Sequence, residues 1–326
     1  MFLLRILITG GLGFVGSHLI DSLVKKHHKI RIITKSLSKI NNIKKSKKQV
    51  QIEKINIINF NKLGKCIEQF RPDVIIHLAG NTSHSKSFEN PIMDVESNCK
   101  STLFILEKIR ELPYPCKFIL GSTFIVVGRP KKLPINEKTP CNPTTIYGTN
   151  RLASEYFCKI YNQVYGLDTR IFRITNSYGP REQIVSNKNA INFLIYNAYK
   201  NKKITIYNNG KFFRDFIFID DVISGINKIL TKGKAGELYW ISSGKKTWFN
   251  KFAKILKCYT GCEIIYPKTP DYTKKVDVGN FVVNNSKLRK LGWSPKISTD
   301  IGVKKTLKFF HLYKKNRLNK FIDLDE

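Results

Sequence analysis

Leu3-Leu4-Arg5-Ile6-Leu7-Ile8-Thr9 followed by Gly10-Gly11-Leu12-Gly13-Phe14-Val15-Gly16 is an apolar run that ends in a glycine turn, and a helical pattern starts at Ser17. A buried parallel strand reads as just such a run. Gly10, Gly13 and Gly16 fall three apart, the spacing that forms a tight turn, brings backbone close to a pyrophosphate and packs a helix onto the strand. The stretch therefore predicts the first βα unit of a dinucleotide-binding fold. The pyrophosphate is expected at the helix N-terminus, near the amides of Phe14 and Val15.

The same alternation continues outward from this unit. Strands are expected at Leu3–Thr9, Ile30–Thr34, Gln51–Ile57, Val74–Leu78, Lys117–Gly121 and Leu167–Ile174, with helices at Gly16–Lys26, Asn98–Arg110 and Tyr147–Tyr165. That rhythm argues for an α/β fold, a doubly wound parallel sheet with helices on both faces. Past Asn176 the elements shorten, and Pro180, Pro267, Pro270 and Pro295 interrupt them. We expect a dinucleotide-binding domain over 1–175, to which the chain returns around 214–235, and a smaller α/β C-terminal substrate lobe over 176–326. Ligands of such folds lie outside the carboxyl ends of the strands.

The chain has 326 residues, 42% of them hydrophobic, enough for a large core. No stretch reaches the ~20 apolar residues of a membrane span, and a strand starting at Leu3 leaves no room for a signal peptide. The expected compartment is the cytoplasm, with no membrane partner. Seven cysteines form no CxxC pair and have no histidine at ligand spacing, so they read as reduced and no metal site is expected. The net charge of +33 raises the question of nucleic acid. Its lysines are spread along the whole chain, however, and no nucleic-acid-binding signature accompanies them. The densest run, Lys39 to Lys54, is expected as a solvated loop after the second strand. Such a charge also draws polyanionic small substrates.

Gly121-Ser122-Thr123 follows the fifth strand, and Tyr147-Gly148-Thr149-Asn150-Arg151 begins 24 residues beyond Thr123. With Thr9–Gly16, Asp73–Gly80 (DVIIHLAG), Asn98, Phe172–Arg181 (FRITNSYGPR), Asn209–Asp221 (NGKFFRDFIFIDD) and Leu291–Pro295 (LGWSP), the chain resembles the extended short-chain dehydrogenase/reductases, the nucleotide-sugar epimerases and dehydratases. The resemblance runs through nearly the whole length. It implies a Rossmann domain, an NAD or NADP cofactor, a nucleotide-diphosphate sugar as substrate and a homodimer formed through the Asn98 and Tyr147 helices.

Oxidising a sugar carbinol needs a base for the hydroxyl proton beside a nicotinamide that takes the hydride. Tyr147 is expected as that base, Thr123 as a hydrogen-bond partner of the same sugar oxygen, and the cation one helical turn on as the group that steadies the phenolate and grips the ribose. In the family that cation is lysine; here it is Arg151, not a conservative exchange at a tight site. Weakened rather than abolished catalysis is expected, and a non-catalytic dinucleotide-binding member is the alternative of another class. An acidic residue usually ends the second strand; Thr34, Lys35 and Ser36 stand here, which favours NADP slightly over NAD. Asn56 and Ile57, with Leu78, Ala79, Gly80 and Asn98, complete the expected cofactor contacts. The resemblance assigns Asn176 and Arg214 to the substrate's phosphates and sugar, with Lys274 and Lys275 as further candidates. Known 4,6-dehydratases need an acid and a base directly after the threonine. Phe124 and Ile125 occupy those places, which favours C4 epimerisation, with 4-keto reduction as the runner-up and dehydration disfavoured.

Overall fold

A computed structural model describes residues 3–184, 190–268 and 277–315. In chain order the elements of the first half are β1 (Arg5–Thr9), α1 (Phe14–Val24), β2 (Lys29–Thr34), β3 (Val50–Lys54), α2 (Phe60–Phe70), β4 (Val74–His77), α3 (His84–Glu89), α4 (Pro91–Val95), α5 (Ser101–Glu111), β5 (Lys117–Thr123), α6 (Ile146–Tyr165) and β6 (Thr169–Ile174). There follow β7 (Asn176–Tyr178), α7 (Ala190–Tyr199), β8 (Ile204–Thr205), β9 (Phe213–Arg214), β10 (Phe216–Phe218), α8 (Ile219–Lys232), β11 (Leu238–Ile241), β12 (Thr247–Trp248), α9 (Phe249–Thr260) and β13 (Ile264–Ile265).

Seven strands form one parallel sheet in the order β11-β6-β5-β4-β1-β2-β3. Side chains alternate across a strand, so β1 feeds two cores. Ile6 and Ile8 pack with Leu19, Ile20 and Leu23 of α1 and Ile226 of α8. Leu7, from the other face, joins Leu63 and Ile67 of α2 and Ile105 and Leu106 of α5. This is the doubly wound α/β arrangement that the apolar runs predict.

Six strands are expected from the sequence and the sheet has seven. The addition is β11, Leu-Tyr-Trp-Ile, whose four residues are all buried and pair in parallel with Ile171–Ile174 of β6. It enters after α8, which packs on α1. The first sheet is thus completed by a segment from the second half of the chain, while three two-stranded pieces, β10-β7, β12-β9 and β13-β8, lie outside it.

Other boundaries shift for local reasons. The third strand stops at Lys54 rather than Ile57, because β2 ends at Thr34 and offers no further partner beyond the Thr34↔Lys54 pair. Asn98 sits in a π turn, Glu96–Lys100, that passes into α5. The Lys39–Lys54 run is not simply a solvated loop. Asn42, Ile43 and Ser46 are buried there, Asn42 donating to the Leu12 carbonyl at 2.8 Å and Ser46 to Asp21 at 2.5 Å.

Candidate active site

The glycine turn leaves an open helix start. Gly10 has φ +72, and a Cβ there would lie 2.9 Å from the Ala79 nitrogen, so turn and 78–80 segment are in contact. Gly13 is the N-cap of α1, with no side-chain cap and no acidic residue in the first turn. The amides that a serine or aspartate cap would satisfy are left for an outside anion. At Gly16 a Cβ would press to 2.7 Å from the Gly11 α-carbon, so helix and turn close tightly there.

Thr9, the last residue of β1, ties this turn to the end of β4. Its Oγ1 accepts from the amides of Leu78 and Ala79 at 3.2 and 3.1 Å and lies 2.7 Å from His77 Nδ1. His77 is fully buried and its pKa is pushed down to about 3, first by burial and then by the charge of Arg151. A histidine held neutral in the fold but free to protonate when unfolded stabilises the protein at neutral pH, and that stability is lost as pH falls from about 6.5 toward 3. Between pH 7 and pH 5, wild type should lose about 2 kcal/mol more than a His77→Asn variant in denaturant unfolding, and parallel pH curves would refute the assignment.

Tyr147 and Arg151 are placed by α6. Thr145 caps this helix, its Oγ1 accepting from the Gly148 amide at 3.0 Å, and Gly166 (φ +69) ends it. Tyr147 is the second helical residue and Arg151 lies one turn on, with its Cζ 6.0 Å from the Tyr147 ring centre. Both are buried. Arg151 Nη2 donates to the Ala79 carbonyl at 3.3 Å, while Nε and Nη1 are buried with no partner among the described residues. Thr123 ends β5 and accepts from the Ile125 amide at 3.3 Å. The turn after it packs on the first turn of α6, where a Cβ at Gly148 would meet Ile125 Cγ2 at 3.1 Å. Phe124 stacks edgewise on Phe281, and Ile125 is buried, so both positions are apolar.

One cluster therefore gathers Gly10, Gly13, Leu78, Ala79, Gly80, Asn98 and Arg151, with Tyr147 and Thr123 on the elements packed beside it. The remaining expected residues lie further along the strand ends. Thr34 is buried and donates to the Ser36 carbonyl at 2.9 Å, whereas Lys35 is exposed. Ile57 is buried beside the exposed Asn56. Asn176 opens β7 with its Oδ1 buried and without a partner among the described residues. Arg214 is buried, donates to the Phe213 carbonyl and pairs with Asp277 at 2.5 Å. Lys274 and Lys275 lie outside the described residues. Among the described residues no group of His, Cys, Asp and Glu could hold a metal ion, and no helix is long and apolar enough to cross a membrane.

Sequence reasoning missed two supports. Glu155, one turn beyond Arg151, is fully buried and pairs with Arg173 of β6 at 2.6 Å, while Ser122 donates to its Oε1. Asp94, also buried, accepts from Asn81 at 2.7 Å, Asn98 at 3.0 Å and Asn150 at 2.8 Å. A charge inside an amphipathic helix reads as surface, so neither was distinguishable. The uncapped helix start, the glycine contacts and the unpaired Arg151 donors all fit a dinucleotide.

A glycine-turn dinucleotide site beside a Thr–Tyr–cation set defines a short-chain dehydrogenase/reductase. Residues 7–306 match the family profile described as GDP-mannose 4,6 dehydratase. A putative UDP-glucose 4-epimerase of Methanocaldococcus jannaschii is 30% identical over 305 residues, 93% of this chain and 97% of that protein. The UDP-glucose 4-epimerase of Thermotoga maritima, solved with UDP-glucose, superposes with a TM-score of 0.88 at 27% identity, over 95% of this chain and 99% of that one. The UDP-glucuronic acid 4-epimerase of Bacillus cereus, solved with UDP-glucuronic acid and NAD, gives 0.82 at 27% identity, over 94% and 99%. The chain belongs to the extended short-chain dehydrogenase/reductase family of nucleotide-sugar epimerases and dehydratases, and it is an enzyme of that NAD(P)-dependent type.

Proposed function

We propose that the protein is a C4 epimerase of a nucleotide-diphosphate sugar that works through a 4-keto intermediate. The observation that carries this reading is the apolar pair Phe124 and Ile125 directly after Thr123. Neither side chain can move a proton, so the elimination of water that defines a 4,6-dehydratase has no acid or base there.

Tyr147 takes the proton of the sugar 4-hydroxyl and returns it when the keto group is reduced from the other face. Thr123 holds the same oxygen. Arg151 steadies the phenolate by its charge and presents Nε and Nη1 to ribose hydroxyls. A bound nicotinamide dinucleotide supplies the hydride acceptor. It would be held by the open start of α1 (Phe14, Val15), by Gly10, Gly13 and Gly16, by Leu78, Ala79, Gly80 and Asn98, and on its adenosine side by Thr34, Lys35, Asn56 and Ile57. The missing carboxylate at the end of β2 favours NADP, since nothing there repels a 2′-phosphate. For the substrate, Asn176 offers an unpaired amide oxygen, and Arg214 shares its guanidinium between Asp277 and the diphosphate.

The decisive experiment is native mass spectrometry and absorbance for bound cofactor, followed by UDP-, dTDP-, GDP- and CDP-sugars with product analysis. The expected result is an epimer with no net change in cofactor. Consumption of added NADPH on a 4-keto sugar would make the protein a reductase, and no conversion would leave the non-catalytic reading.

The same reading includes a homodimer. Tyr156, Ile160 and Val164 form an exposed apolar line on α6, and Ile92, Met93 and Val95 are exposed on α4, which packs against α6. An exposed apolar face of this kind marks a contact surface. Sedimentation should show a dimer for wild type and a monomer for Ile160→Glu/Val164→Glu; a monomeric wild type would sink the assignment.

A further inference from the structure

Arg151 stands where the family has lysine, and its surroundings suit a guanidinium. Nη2 is engaged by the Ala79 carbonyl. The same nitrogen and Asn98 Oδ1 close on Gly80 from the side where a side chain would project: a Cβ there would lie 2.7 Å from Nη2 and would also overlap the amide oxygen. Asn98 cannot turn away cheaply, because its Nδ2 donates both to the Asn81 carbonyl at 3.1 Å and to Asp94 Oδ1 at 3.0 Å. Asp94 Oδ2 in turn accepts from Asn150, the residue before Arg151. One buried carboxylate thus fixes both the amide beside the guanidinium and the helical turn that carries it.

Two donors are left over. Nε and Nη1 are buried and have no partner among the described residues, and a buried N–H left unsatisfied is unfavourable. The seat is complete only when an acceptor from outside the chain fills it. A lysine would bring one nitrogen, which cannot stand at the Ala79 carbonyl and at both remaining places.

We propose that Gly80, Asn98 and Asp94 form a seat fitted to arginine at position 151, with Nη2 bound to the backbone and Nε and Nη1 reserved for hydroxyls of the dinucleotide. Arg151 is then a working part of the site rather than the trace of a lost activity. The identity of the ligand rests on the function proposed above; the fit between Gly80 and Arg151 does not.

The test is a double-mutant cycle of Arg151→Lys and Gly80→Ala, read by NADH and NADPH dissociation constants and by the unfolding midpoint of the cofactor-free protein. Arg151→Lys should weaken cofactor binding about tenfold, the loss of one charged hydrogen bond. Gly80→Ala should cost affinity and apo stability in wild type, and cost at least about fivefold less affinity in the Arg151→Lys background. Backbone strain at φ +148 and crowding of Asn98 are common to both backgrounds and cancel in the cycle. Equal penalties in the two backgrounds, or tighter binding by Arg151→Lys, would overturn the proposal. If Gly80→Ala does not fold, Arg151→Lys alone decides: weaker binding supports the seat, and equal or tighter binding overturns it. A failure of the proposed reaction shows separately, as intact coupling with no sugar converted.

Discussion

Tyr147→Phe is expected to lower turnover by about 10²–10⁴-fold while leaving cofactor affinity within about twofold of wild type. The ring is buried on the first turn of α6, and phenylalanine fills the same space, so the loss is confined to the hydroxyl. In the proposed reaction the sugar hydroxyl then loses the group that takes its proton, and a threonine hydroxyl is too weak a base to replace it. The measurement is product formation on whichever nucleotide sugar the panel selects, together with titration by NADH. Retained turnover would remove Tyr147 from the chemistry. Loss of turnover accompanied by loss of cofactor binding would instead mark it as a structural residue.

The largest stability effect is expected at Glu155. Its carboxylate and the Arg173 guanidinium are both buried, bonded at 2.6 and 2.9 Å, and Arg173 lies 5.3 Å over the Trp240 ring. Glu155→Ala strands a buried cation and should cost roughly 3–5 kcal/mol in denaturant unfolding. Replacing both partners by methionine should recover much of that loss, because a buried pair has already given up its hydration. A single-variant cost under about 1 kcal/mol would show that water reaches the pair. Because the pair joins α6 to β6, and Ser122 joins both to β5, the loss would also loosen the elements that carry Tyr147 and Thr123.

The first half of the fold was legible because parallel strands buried on both faces leave long apolar runs, and Ile6-Leu7-Ile8 is such a run. Leu-Tyr-Trp-Ile at 238–241 was not, being four residues among other short elements with nothing local to show which sheet it joins. At the site, the glycine turn could be read by its spacing, and the Thr123–Tyr147–Arg151 set came from the family resemblance. Asp94, His77 and Glu155 could not. Their significance comes from neighbours distant in sequence, such as Asn150 for Asp94 and Thr9 for His77, and a single chain carries no mark of those meetings. Gly80 was visible as a cofactor-lining residue, but the atoms that crowd the place of its missing side chain belong to Asn98 and Arg151, 18 and 71 positions away.

The placement of β11 beside β6 means that the parallel sheet is not finished until residue 241, well past the end of its sixth strand in the chain. A fragment ending near residue 175 would present the bare backbone of β6, an unprotected sheet margin that invites other chains to add to it.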